Sequence, residues 1–139
     1  MLFTPKKTKF KKRQKGKRLN TITNVRSLFK LNFGNIALKS IESGHLTSKQ
    51  INTIKQTVTK IIKKKGKLRI NIFPNTPISK KPLEVRMGKG KGNVDRWIFK
   101  VRSGTILFEI QIASITLAMT ALKLVQYKIP VKTKIITSY

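Results

Sequence analysis

The sequence predicts an α+β fold, a two-layer sandwich with two helices packed on a mostly antiparallel sheet behind a basic N-terminal arm. Three observations carry this. Two segments show apolar residues at helical spacing, several short segments alternate apolar and polar residues, and helices and strands do not alternate regularly along the chain. The hydrophobic fraction of 39% across 139 residues is enough for one small core. The chain divides into an arm at 1–27 and a single domain at 28–139.

The arm comes first. Nine cations fall between residues 6 and 18: Lys6, Lys7, Lys9, Lys11, Lys12, Arg13, Lys15, Lys17 and Arg18. Such a block buries no face, so alone it is extended or disordered and orders only on a polyanion. Pro5 and Gly16 break the amphipathic helix that a mitochondrial presequence needs. Phe29, Leu31 and Phe33 alternate, and Ile36, Leu38 and Ser40 resume after a break at Gly34-Asn35, which reads as one or two strands.

Residues Leu46 to Lys65 predict the first helix. Thr47 and Gln50 fit a capping box, and Ile51, Ile54, Val58, Ile61 and Ile62 share one face. Gly66 stands where a C-terminal cap belongs. Leu68, Ile70 and Ile72 predict a strand, Phe73 to Pro77 a loop, and Leu83, Val85 and Met87 another strand. Trp97, Phe99 and Val101 predict the next strand. A tight turn at Ser103-Gly104 makes it a hairpin with Ile106, Phe108, Ile110 and Ile112. A second helix runs from Ser114 to Tyr127, with Ile115, Ala118, Leu122 and Val125 toward the core, and Pro130 stops it. Val131, Thr133 and Ile135 form the last strand. The apolar run Ile106 to Val125 carries Glu109, Gln111 and Lys123 and is read as strand then helix, not as a membrane span.

Charge narrows the function. Lys and Arg number 32 against 4 Asp and Glu, a net charge of +28. A solvated surface mixes both signs, and here one is missing, so the partner is a nucleic acid. There is no cysteine, hence no disulfide, thiolate metal site or cysteine nucleophile. One histidine, His45, and four acids, Glu42, Glu84, Asp95 and Glu109, are scattered. They make no acid/base pair and no metal-ligand set, so no catalytic residue, metal or cofactor is expected. Glu84 beside Arg86 and Asp95 beside Arg96 read as local ion pairs.

The most informative segment is Arg86-Met87-Gly88-Lys89-Gly90-Lys91-Gly92-Asn93, in a loop spanning 86–94. Alternate glycines let the backbone approach a ligand closely, and the lysines between them place charge there. It is neither a Walker A loop nor a dinucleotide fingerprint. Phe3 and Phe10 could stack on bases. The other aromatics sit mostly at core-facing positions, so recognition is expected through RNA backbone and shape, with little base readout.

These residues resemble the bacterial-type large-subunit ribosomal protein sixteen family. The likeness is carried by Pro5-Lys6-Lys7-Thr8-Lys9-Phe10-Lys11-Lys12, by Gly44 to Ile51, by Phe73-Pro74 through Gly92-Asn93-Val94, and by Lys128-Ile129-Pro130-Val131-Lys132-Thr133. It spans almost the whole chain. The resemblance implies a structural constituent of the large ribosomal subunit. Its partners would be large-subunit rRNA, tRNA at the aminoacyl site and neighbouring ribosomal proteins, with no membrane and no small-molecule substrate. In that family the arm runs into rRNA, and the Arg86–Asn93 loop reaches toward the tRNA path. The second helix departs from the pattern, opening on Ser114, Ile115 and Thr116 without acids, and Asn20–Lys30 is rich in Asn and Thr. Lys outnumbers Arg more than threefold and Ile far outnumbers Ala, as AT-rich coding produces. This favours the matrix of a mitochondrion, with the cytoplasm of an AT-rich bacterium or a plastid as the alternative. Two other classes remain: a DNA-compacting or membrane-active cationic protein, and an RNA hydrolase using His45.

Overall fold

The computed structural model describes residues 3–14, 16 and 31–138. Along them run β1 (Ile36–Ser40), β2 (Gly44–Thr47), α1 (Ser48–Ile62), β3 (Gly66–Ile70), β4 (Thr76–Lys80), β5 (Asn93–Val101), β6 (Ile106–Ile112), α2 (Ile115–Gln126) and β7 (Thr133–Thr137). Every strand pairing among them is antiparallel. The strands form two sheets, one in the order β3-β6-β1-β7 and one in the order β2-β5-β4. The α+β class is as the sequence predicts.

The capping box forms. The Thr47 hydroxyl accepts the Gln50 N–H at 3.3 Å, and the Gln50 side-chain oxygen accepts the Thr47 N–H at 2.9 Å. Two otherwise orphaned donors are satisfied, which fixes the start of α1. Ile51, Ile54, Val58 and Ile62 are buried, while Ile61 is half-buried against the same core. Each buried isoleucine contributes about 1.5–3 kcal/mol. The helix is shorter than predicted at both ends. Leu46 and Thr47 belong to β2, and Lys63 ends the helix at φ 54° with its N–H on the Thr59 carbonyl at 2.8 Å. Gly66 is therefore not the cap. It opens β3, where a Cβ would stand 2.7 Å from the Gln111 carbonyl oxygen, so glycine serves a close approach of strands.

In α2, Ala118, Ala121, Leu122 and Val125 are buried. Ile115 is not in the core as predicted but 46% exposed, and burial on this helix begins one turn later, at Ala118. Ser114 makes no side-chain cap bond; its hydroxyl lies 3.1 Å from that of Thr116. The two helices pack on each other; α2 lies on β1, β6 and β7 of the larger sheet, while α1 bridges the sheets, meeting β3 of the larger and β2 and β5 of the smaller. Phe108, Ile110, Ile36 and Leu38 form the centre of the core.

Three strand expectations change. Residues 31–35 form no strand, and Phe29 lies outside the described residues. Their backbone instead turns onto Glu109, whose Oε2 accepts the N–H groups of Asn32 at 3.2 Å, Phe33 at 2.7 Å and Gly34 at 3.3 Å. Leu83, Val85 and Met87 form no strand either. Leu83 is 95% and Met87 97% exposed, because the strand that pairs with β5 is Thr76–Lys80. Pro77 hid that strand from the sequence, yet β4 is an edge strand, where alternate N–H positions face away from the ladder and a proline is tolerated. Finally, β5 and β6 are not a hairpin. The turn at Ser103-Gly104 exists, but it carries the chain from the three-stranded sheet into the four-stranded one. Ser40 secures this corner, since its N–H bonds the Thr105 carbonyl at 2.9 Å and its carbonyl accepts the Gly104 N–H at 2.8 Å.

Candidate nucleic-acid interface

The Gly-Lys loop leaves the smaller sheet between Lys80 and Asn93, which are register partners at the end of the β4–β5 ladder. Gly92 forms its neck. A Cβ there would stand 2.5 Å from the Lys80 carbonyl oxygen, so no side chain fits between the two backbones. Beyond the neck, Gly88 (φ 101°), Lys89 (φ 48°) and Gly90 (φ 84°) lie in the left-handed region. Two of these three are glycine, which adopts that region without steric cost. Nothing stands within 4 Å of a Cβ built at Gly88 or Gly90, so the tip is open to a ligand on both sides. The Lys81 ammonium donates to the Gly88 carbonyl and braces the loop from inside. Residues Pro82 to Lys91 are all exposed.

The arm meets this loop. Phe3 packs against the core, with the Lys55 ammonium 5.9 Å from its ring centroid. The chain then crosses to the smaller sheet, where the Lys12 ammonium donates to the Lys91 carbonyl at 2.8 Å. The Lys91 ammonium donates to the Arg13 carbonyl in return. Two segments that the sequence singled out separately thus form one surface. Lys6, Lys7, Lys9, Lys11, Lys12 and Arg13 are exposed on it, as are Arg86, Met87, Lys89, Lys91 and Asn93. Lys15, Lys17 and Arg18, which the sequence also assigned to the arm, lie outside the described residues, as does Asn20–Lys30.

Little offsets this charge. Among the described residues the ion pairs are Asp95–Arg96 at 3.2 Å, as expected, and Glu42–Lys132 at 3.1 Å. Both are solvent-exposed and worth at most about 1 kcal/mol. Glu84 and Arg86 form no pair, because their segment is an exposed loop and not the strand that would have held them side by side. Glu109 is buried and committed to backbone N–H groups. Bringing so many cations together has a physical outlet in a polyanion that neutralises them and releases its counterions. His45 is exposed on β2, and among the described residues no group of three His, Asp or Glu could hold a metal ion. No described helix is long and apolar enough to cross a membrane.

Sequence reasoning placed most aromatics in the core. Among the described ones only Phe108 is fully buried; Phe3 and Phe99 pack partly against the core, while Phe10, Phe73 and Tyr127 are exposed. Trp97 is half-buried and lines a cleft beneath the arm together with Asn75 and Pro77. Its place on an alternating strand resembled that of a core residue, and no local signal separates the two.

Comparison with known proteins shows the family. The family model described as ribosomal protein L16p/L10e matches residues 5–136. The chain is 46% identical over 132 residues to the large ribosomal subunit protein uL16 of Wigglesworthia glossinidia brevipalpis, covering 95% of this chain and 94% of that one. It is 48% identical to the uL16 of Blochmanniella floridana over 132 residues, 95% of this chain and 96% of that one. It is 49% identical to the uL16 of Buchnera aphidicola subsp. Baizongia pistaciae (strain Bp) over 138 residues, 98% of this chain and 97% of that one. With matches that run from the arm through the Gly-Lys loop to the last strand, this chain belongs to the ribosomal protein L16p/L10e family.

Proposed function

We propose that this protein is a structural constituent of the large ribosomal subunit, which binds large-subunit rRNA and helps form the aminoacyl-tRNA site region. The observation that carries the reading is the junction of arm and loop at Lys12, Arg13 and Lys91. Each segment alone is a flexible basic tail or turn. Joined, they make a continuous cationic surface on one side of a rigid sheet, suited to following a folded RNA backbone. In this reading Lys6 to Arg18 lie along rRNA, and Arg86 to Asn93, at the tip of the surface, face the tRNA. Neighbouring ribosomal proteins complete the partners. The protein contributes position and charge, and no catalytic step is assigned to it.

Lysine-rich, isoleucine-rich composition supports a mitochondrial matrix ribosome as the location. The bacterial relatives support a second reading, the cytoplasm of an AT-rich bacterium. Fractionation of the source cells decides between them.

The functional test is sedimentation of a native lysate through a sucrose gradient at low and moderate salt, probing for this chain. Co-migration with the large subunit at both salts is the expected result. Migration as free protein, or with DNA or membrane, would overturn the proposal.

A further inference from the structure

The arm does not lie flat on the smaller sheet. It is held at one end by Phe3, packed against the core, and at the other by the paired bonds of Lys12 and Arg13 with Lys91. Between these anchors it spans an open cleft of about 630 Å³ over the β4–β5 ladder, within the roughly 300–1,000 Å³ range of small-molecule sites. Its walls are of three kinds. Phe10, Pro77 and Trp97 supply flat apolar surface, and Pro77 and Trp97 are direct cross-strand partners. Lys9, Lys12 and Arg13 supply positive charge on the arm side, and no acid lines the space. Asn75 adds an amide; its oxygen accepts the Thr76 hydroxyl at 3.1 Å, which leaves its NH₂ group to donate.

We propose that this cleft holds one unpaired nucleotide of the bound RNA, its base against Trp97 and Phe10 and its phosphate on the arm cations. The inference rests on the RNA-binding reading above and deepens it. A duplex hides the faces of its bases and offers only backbone and groove edges, whereas an extruded nucleotide presents one flat face and one anion together. Aromatic walls beside cations match that combination. Walls without acids exclude a cationic guest, and an apolar peptide would leave three cations unanswered. The site adds base contact to a surface that otherwise reads backbone alone.

Trp97 is the single tryptophan of the chain, so its fluorescence reports on the cleft directly. The full-length protein would be titrated, at fixed salt, with end-labelled oligouridine eight-mer, with an abasic ribose-phosphate eight-mer of equal charge, and with UMP. Anisotropy of the label gives affinity and Trp97 emission gives occupancy. The expected result is binding of both eight-mers, about tenfold tighter for the one with bases, with quenching of Trp97 only by that one. UMP should quench only at far higher concentration. Phe10→Ala, at a residue 73% exposed and outside the core, should remove most of the tenfold difference between the two eight-mers. Equal binding of the two eight-mers with Trp97 unquenched would overturn the cleft while leaving RNA binding in place. Quenching by UMP at the eight-mer's own concentration would overturn it in favour of a free nucleotide. Binding of neither eight-mer would overturn the RNA-binding reading itself.

Discussion

The carboxylate of Glu109 accepts the backbone N–H of Phe33 at 2.7 Å, across most of the length of the chain. The same oxygen takes the N–H groups of Asn32 and Gly34, and the other oxygen takes the Asn71 amide at 2.5 Å. Glu109 is 1% exposed, so these four bonds replace water entirely. Arg69, its cross-strand partner on β3, lies over the Phe33 ring at 5.6 Å and covers the site.

Glu109→Ala should therefore destabilise the fold by about 3 kcal/mol or more, since each buried donor left without an acceptor costs about 1–3 kcal/mol. Glu109→Gln keeps one acceptor for the three N–H groups and should cost about half as much. Urea denaturation followed by circular dichroism measures both. Equal stability of Glu109→Ala and the parent would show that residues 31–34 do not depend on this side chain.

Glycines at the loop neck and loop tip should respond differently. Gly92→Ala forces a Cβ to 2.5 Å from the Lys80 carbonyl, so the ends of β4 and β5 must part. Gly90→Ala meets nothing within 4 Å and carries only the strain of φ 84°, about 1–2 kcal/mol, which an exposed loop relieves by changing shape. We expect a lower thermal midpoint for Gly92→Ala and a nearly unchanged one for Gly90→Ala. The reverse order would place the structural constraint at the tip.

RNA affinity should fall about a thousandfold or more between 50 and 200 mM salt if about 8–12 phosphates are neutralised. Lys89→Ala with Lys91→Ala should lower the slope of log affinity against log salt by about 2. The same double variant should keep the core fold, because both side chains are exposed and only the Lys91 bond to the arm at Arg13 is lost, but impair tRNA handling in assembled ribosomes. An unchanged salt slope together with normal translation rates would remove the loop from the interface.

Thr47→Ala should cost about 1 kcal/mol, the usual penalty for losing a helix N-cap. Gln50→Ala should cost a similar amount, and the double variant less than the sum, because each residue bonds the other's backbone N–H. Strict additivity in chemical denaturation would mean that the two bonds act independently.

Much of this was legible where the cause is local. The T-x-x-Q box and the isoleucine spacing of α1 are set by residues within one or two turns, and so are most of the buried face of α2 and the existence of β6, though β6 buries Leu107 and Glu109 as well as its alternating apolar set. What was not legible depends on distant partners. A Ser-Gly turn looks the same whether it closes a hairpin or passes a chain between sheets, and what decides is that β2 and β4 occupy both edges of β5 and leave none for β6. Glu109 looked like an interruption of an apolar run because its donors lie some 75 residues earlier. Leu83, Val85 and Met87 alternate as a strand does, yet alternation without a neighbouring strand to pair with leaves them in solvent. At the interface, the charges of arm and loop were plain from composition, but that they share one surface follows from two hydrogen bonds between residues 12, 13 and 91.

The sheet order has a consequence for synthesis. β1 lies between β6 and β7, its only neighbours in the larger sheet, and both come from the far end of the chain. A nascent chain emerges in sequence order, so β1 leaves the exit tunnel long before either neighbour exists. For that interval Ile36, Ala37 and Leu38 are apolar and both edges of the strand are unpaired, the combination that invites pairing between chains. The arm precedes them, and its like charges repel those of neighbouring nascent chains during that interval.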